Sequence, residues 1–84
     1  MPDIECRDLL PAEEAKVRRV RHRLRAYLAG RRVAVRGCHA VGGGGGRAVR
    51  FTDEHGRVVA SVAASVFLAE PDETAAATVT PWRD

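Results

Sequence analysis

Five side chains in this chain of 84 residues have soft-metal or thiol chemistry: Cys6, Cys38, His22, His39 and His55. Cys38 and His39 are neighbours in sequence. On a strand they point to opposite faces, so without a bulge at Gly37 they share neither an ion nor a proton. No Cys-x-x-Cys or His-x-x-x-His spacing occurs, and no metal or other cofactor is expected. Adjacent carboxylates occur at Glu13/Glu14, Asp53/Glu54 and Asp72/Glu73. Each pair falls at an expected helix start or turn, where acids cap backbone N–H groups and stay solvated. General acid–base chemistry needs a carboxylate held in a cleft, so no catalytic residue is assigned and the chain reads as a non-enzyme.

Gly42 to Gly46 form an unbroken run that matches no nucleotide-binding fingerprint. A phosphate cradle of that kind needs Gly-Lys-Ser/Thr opening a helix, whereas Arg47 and a strand pattern follow here. The run is expected to be a flexible hairpin loop or linker.

The remaining chemistry is charge. Lys+Arg number 14 and Asp+Glu 11, a formal net charge of +3. That modest total hides a segregated layout. Residues 1–15 carry five acids against Arg7, and residues 37–84 carry six acids against four arginines. Residues 16–36 carry nine cations and no acid. All the cations but Lys16 are arginine, in a chain also rich in Ala, Val and Gly. Such a bias is what a GC-rich bacterial genome writes, so position says more than residue type. The candidate contacts to an anionic partner are Lys16, Arg18, Arg19, Arg21, Arg23, Arg25, Arg32 and Arg36.

A helix must position these groups. Pro11 suits its first turn, Glu13 and Glu14 oppose the positive end of its dipole, and Gly30 suits the left-handed residue that ends it. Val17, Val20, Leu24, Tyr27 and Leu28 recur at three- and four-residue spacing and make one apolar stripe. The arginines then wrap the other side.

Strands account for the rest. Residues 3–7 alternate, with Ile4 and Cys6 on one face. Residues 32–41 alternate with Val33, Val35, His39 and Val41 on one side and Arg32, Arg36 and Cys38 on the other. Residues 47–52 set Val49 beside Phe51, and Asp53-Glu54-His55-Gly56 makes a four-residue hairpin loop. Residues 57–69 suit a long central strand, although Val59, Val62, Val66 and Ala69 also fit helical spacing. A turn at residues 70–73 and a last strand over 76–80 complete the chain. The fold class is therefore α+β, a single domain over 1–84. Its basic helix packs on a mostly antiparallel β-meander in the order β-α-β-β-β-β.

A domain this small buries only about 60% of its unfolded surface, and one helix covers only one face of such a sheet. A homodimer formed through the uncovered face is expected. Trp82 either closes an edge of the core or anchors an interface. No apolar run approaches the ~20 residues that span a bilayer, and the opening residues lack a signal-peptide pattern, so a cytoplasmic domain away from membranes is expected. Two functions fit the basic helix: a binding module for nucleic acid, or a regulatory or inhibitor module that meets an acidic protein. In a third reading the face is solvated and balanced by the acids of residues 1–15.

Overall fold

The computed structural model describes residues 4–43 and 46–82 of the chain. It is α+β. Strand β1 (Glu5–Arg7) leads into helix α1 (Pro11–Ala29), then β2 (Gly37–Gly43), β3 (Gly46–Thr52) and β4 (Val58–Ala63). Short helices α2 (Ala64–Ala69) and α3 (Asp72–Ala75) and a 3-10 turn over Ala76–Thr78 precede β5 (Thr80–Pro81). The five strands form one sheet in chain order, with β1 parallel to β2 and every later pairing antiparallel. The parallel step needs a crossover, and α1 supplies it.

Burial follows the period-2 pleat. Cys38, Val49, Phe51, Ala60 and Val62 lie beneath α1, whose Val17, Val20, Leu24 and Leu28 face them. Phe67 closes the layer edge-on to Phe51, with ring centroids 6.5 Å apart. Burying each large side chain of this kind is worth roughly 1.5–3 kcal/mol, so the stripe is the main hold on α1. Leu10 caps α1 with backbone only; its N–H donates to Glu13 Oε1 at 2.8 Å, which is half of a capping box. Asp53 organises the β3–β4 loop by accepting from the N–H groups of His55 and Arg57, and Gly56 takes the expected positive φ of 78°. Those two donors hold the Asp53 carboxyl below its ordinary range.

Several boundaries differ from the expectations. The long strand over 57–69 ends at Ala63, because beyond it Ala64 and Phe67 are buried while Val66 and Leu68 are exposed. Period 2 gives way there to helical spacing, and packing on Phe51 decides the choice. The expected strand over 76–80 is a 3-10 turn, with only Thr80 and Pro81 paired to β4. Residues 33–36 are irregular and β2 starts at Gly37. Val35 and Cys38 therefore both turn to the core, and His39 and Val41 face away. Gly37 allows this start, since a Cβ there would stand 3.0 Å from Thr52 Oγ1 and 3.3 Å from Glu5 O. Gly30 is not the left-handed residue. It is right-handed at φ −62°, and Arg32 takes φ 62° instead. The Arg32 N–H donates to Ala29 O at 3.0 Å and the Val33 N–H to Leu28 O at 2.9 Å, a Schellman closure. Three glycines of the run extend the β2–β3 ladder, with Gly43 paired to Gly46, whereas Gly44 and Gly45 lie outside the described residues.

Candidate anion-binding face

The basic block is divided by what each cation touches. Lys16 lies inside, with its ammonium 2.8 Å from Asp72 Oδ1 and also donating to the carbonyl of Glu70. Arg19 reaches the other oxygen of the same carboxylate, its Nε 3.0 Å from Asp72 Oδ2. Together they tie α1 to the start of α3, and the Arg19 and Lys16 bonds hold the Asp72 carboxyl at about 2. Arg18 leans on Glu14 one turn back at 3.4 Å, and Arg21 Nη1 donates to the Arg18 carbonyl at 2.8 Å. The acids that balance the block thus come from both ends of the chain, not from residues 1–15 alone.

Glu13 shows the same division. It falls on the apolar stripe four residues before Val17, and its side chain is only 1% exposed. Arg47 answers it with Nη2 at 2.8 Å from Oε1 and Nε at 3.0 Å from Oε2. The bonds from Arg47 hold the Glu13 carboxyl below its ordinary range despite burial, which acts the other way. Glu13 was expected to be a solvated capping acid. It caps, but it is buried. Its place on the stripe was the available signal, because a charge there must find a partner.

Farther along, the arginines are differently placed. Arg18, Arg21 and Arg25 follow at helical spacing along one flank of α1, and Arg19 and Arg23 along the other. Beyond the helix, Arg32 and Arg36 are exposed, and their side chains, like that of Arg23, make no hydrogen bond or ion pair among the described residues. Arg31 stacks on Tyr27, its guanidinium 4.0 Å from the ring centroid. Arg25, Arg32 and Arg36 converge on a cavity of about 430 Å³ whose remaining lining is Ala29, Val33, Ala34 and Val35. A mostly apolar lining that includes three arginines suits a group that pairs negative charge with an apolar surface. The Arg32 backbone is strained for a residue with a Cβ, at a cost of about 1 kcal/mol relative to glycine.

The far side of the sheet has another character. His39, Arg50 and Ser61 lie in register across β2, β3 and β4. Trp82 is 41% exposed, with the Arg50 guanidinium 5.1 Å from its ring centroid, so it stands outside the buried core. Arg50 Nε is buried and has no hydrogen-bond partner among the described residues. A second cavity of about 590 Å³ opens where β1 meets the β3–β4 loop, and its lining includes Glu5, Asp8, Asp53 and Glu54 against Arg7, Arg36 and His39. Acids thus outnumber arginines in this lining, whereas the first cavity is lined by arginines and no acid. No helix among the described residues is long and apolar enough to cross a membrane. The chain matches no family model, no curated protein and no solved structure.

Proposed function

We infer that this chain is a non-catalytic binding module whose basic face, from Arg18 through Arg21 and Arg25 to Arg32 and Arg36, grips an anionic partner, with nucleic-acid phosphate preferred. The observation that carries this reading is that Arg25, Arg32 and Arg36 line one cavity, with the side chains of Arg32 and Arg36 making no hydrogen bond or ion pair among the described residues. The strained backbone at Arg32 supports it, because glycine would close the helix at lower cost. Lys16 and Arg19 act in the fold and fall outside the gripping surface. The module works in the cytoplasm and pairs with a second copy through the open sheet face, where Trp82 and the unpartnered Arg50 Nε lie.

Fluorescence anisotropy with labelled duplex and single-stranded DNA and RNA tests the main reading. Affinity falls with salt, with a log–log slope of about −0.7 to −0.9 for each phosphate contacted. No binding at low salt removes nucleic acid as the partner. The apolar lining of the cavity favours one second reading, an acidic protein that presents an apolar side chain beside its carboxylates. Acidic peptides with and without that side chain separate the two partners. A monomer mass in light scattering at micromolar concentration removes the pairing.

A further inference from the structure

Cys6 and Cys38 are matched residues on neighbouring parallel strands, β1 and β2. Both point to the helix side of the sheet, and neither is in a disulfide. Their Sγ atoms are 3.6 Å apart. We propose that Cys6 and Cys38 are an oxidative modification site, closing to a reversible disulfide that clamps edge strand β1 to β2.

Geometry favours closure. Neighbouring strands lie about 4.8 Å apart, inside the Cα separations of about 4.4–6.8 Å that disulfides span. A disulfide is about 2.05 Å long, so the sulfurs must approach by roughly 1.5 Å. The movable partner is Cys6, because β1 has three residues and lies at the edge of the sheet with β2 as its neighbour.

The two thiols are unequal in a way that sets the order of events. Cys6 is half-buried, whereas Cys38 is 3% exposed. Burial, and then the neighbouring Cys6, push the Cys38 thiol far above its ordinary range, so it is not the first to react. The oxidant is hydrogen peroxide. The Cys6 thiolate attacks one peroxide oxygen and the O–O bond breaks. The departing hydroxide takes a proton and leaves as water, and Cys6 becomes a sulfenic acid. Cys38 then gives up its proton and attacks the Cys6 sulfur; the S–O bond breaks and the second water leaves. Two thiols and one peroxide become one disulfide and two waters, with two electrons passing from sulfur to oxygen. Contact between the sulfurs offsets the high proton affinity of Cys38. An external dithiol reverses the change.

The bond would enclose the whole of α1 and residues 30–36 in one covalent loop, including the cavity of Arg25, Arg32 and Arg36. Its formation does not depend on what that cavity binds.

The test treats the full chain with one equivalent of hydrogen peroxide under non-denaturing conditions. The expected result is a monomer lighter by about 2 Da with no titratable thiol, and a Cys6–Cys38 peptide in the digest. Its Tm rises by about 10 °C and returns on reduction. In Cys38→Ala, Cys6 stops at the sulfenic acid and is trapped by dimedone; in Cys6→Ala, dimedone labels nothing. Two thiols persisting in the oxidised wild type overturn the proposal, as do disulfides formed only between chains. If Cys38→Ala does not fold, mapping of the wild-type digest still decides.

Discussion

The two ends of α1 both carry cations but have different roles. At the first end Glu13, Lys16 and Arg19 are bound to Arg47 and Asp72, residues far away in sequence, and each bond fixes a neighbouring element. Past the other end the side chains of Arg32 and Arg36 make no hydrogen bond or ion pair among the described residues, and both line a cavity. A run of like charges is therefore not one functional unit. Its first part is tied to the fold, Lys16 and Arg19 by Asp72 from later in the chain and Arg18 by Glu14 from just before the run. Buried or tightly paired charges govern stability, and exposed unpaired ones govern association.

Substitutions at each end sharpen or break that contrast. The largest effect is expected from Glu13→Ala, which removes the acceptor for Arg47 and for the Leu10 N–H. It should cost about 2–3 kcal/mol in urea unfolding, and a loss under about 0.5 kcal/mol would show that the buried carboxylate is not a structural tie. Next, Arg25→Ala with Arg36→Ala should weaken binding of an anionic partner about tenfold and flatten its salt slope, with little change in unfolding. The contrast breaks if Arg19→Ala weakens binding equally. Arg32→Gly should move the two properties in opposite directions. Stability should rise by about 0.5–1 kcal/mol as the left-handed strain is relieved, while anisotropy reports weaker binding.

The smallest effect concerns pH. Asp72 is held at about 2, below its ordinary 3.8, so its contribution to stability is present above about pH 4 and lost as pH falls toward 2. Unfolding followed by circular dichroism between pH 5 and 2 should show this loss, and Arg19→Ala should reduce it. An identical acid profile for that variant would mean that Arg19 does not set the Asp72 carboxyl.

Much of the frame was legible from local pattern. Pro11 marks the start of α1, and Val17, Val20, Leu24 and Leu28 mark its buried side. Asp53 and Gly56 mark the β3–β4 loop, and the strand order follows from the alternation on either side of it. The C-terminal quarter was less legible, because Ala64 to Val79 is rich in alanine and its few large apolar residues fit both periods. Its conformation is set by where Phe67 finds Phe51. The pairing of Lys16 with Asp72 was invisible because it spans the chain without any periodic signal. The cavity of Arg25, Arg32 and Arg36 depends on Val35 turning inward before Gly37, a break in alternation that the sequence pattern does not announce.

The parallel alignment of β1 bears on the order in which the chain assembles. β2, β3 and β4 join by short reversals, so their ladders close early and at small entropic cost. Cys6 meets Cys38 only after α1 has formed and crossed the sheet, and β5 waits for the helical turns before it. The molecule is thus expected to grow outward from its middle strands. Both margins of the sheet are the last to gain protection and the first to lose it. Pulsed hydrogen exchange should find amides of β3 protected before those of β1, and the reverse order would place the crossover first.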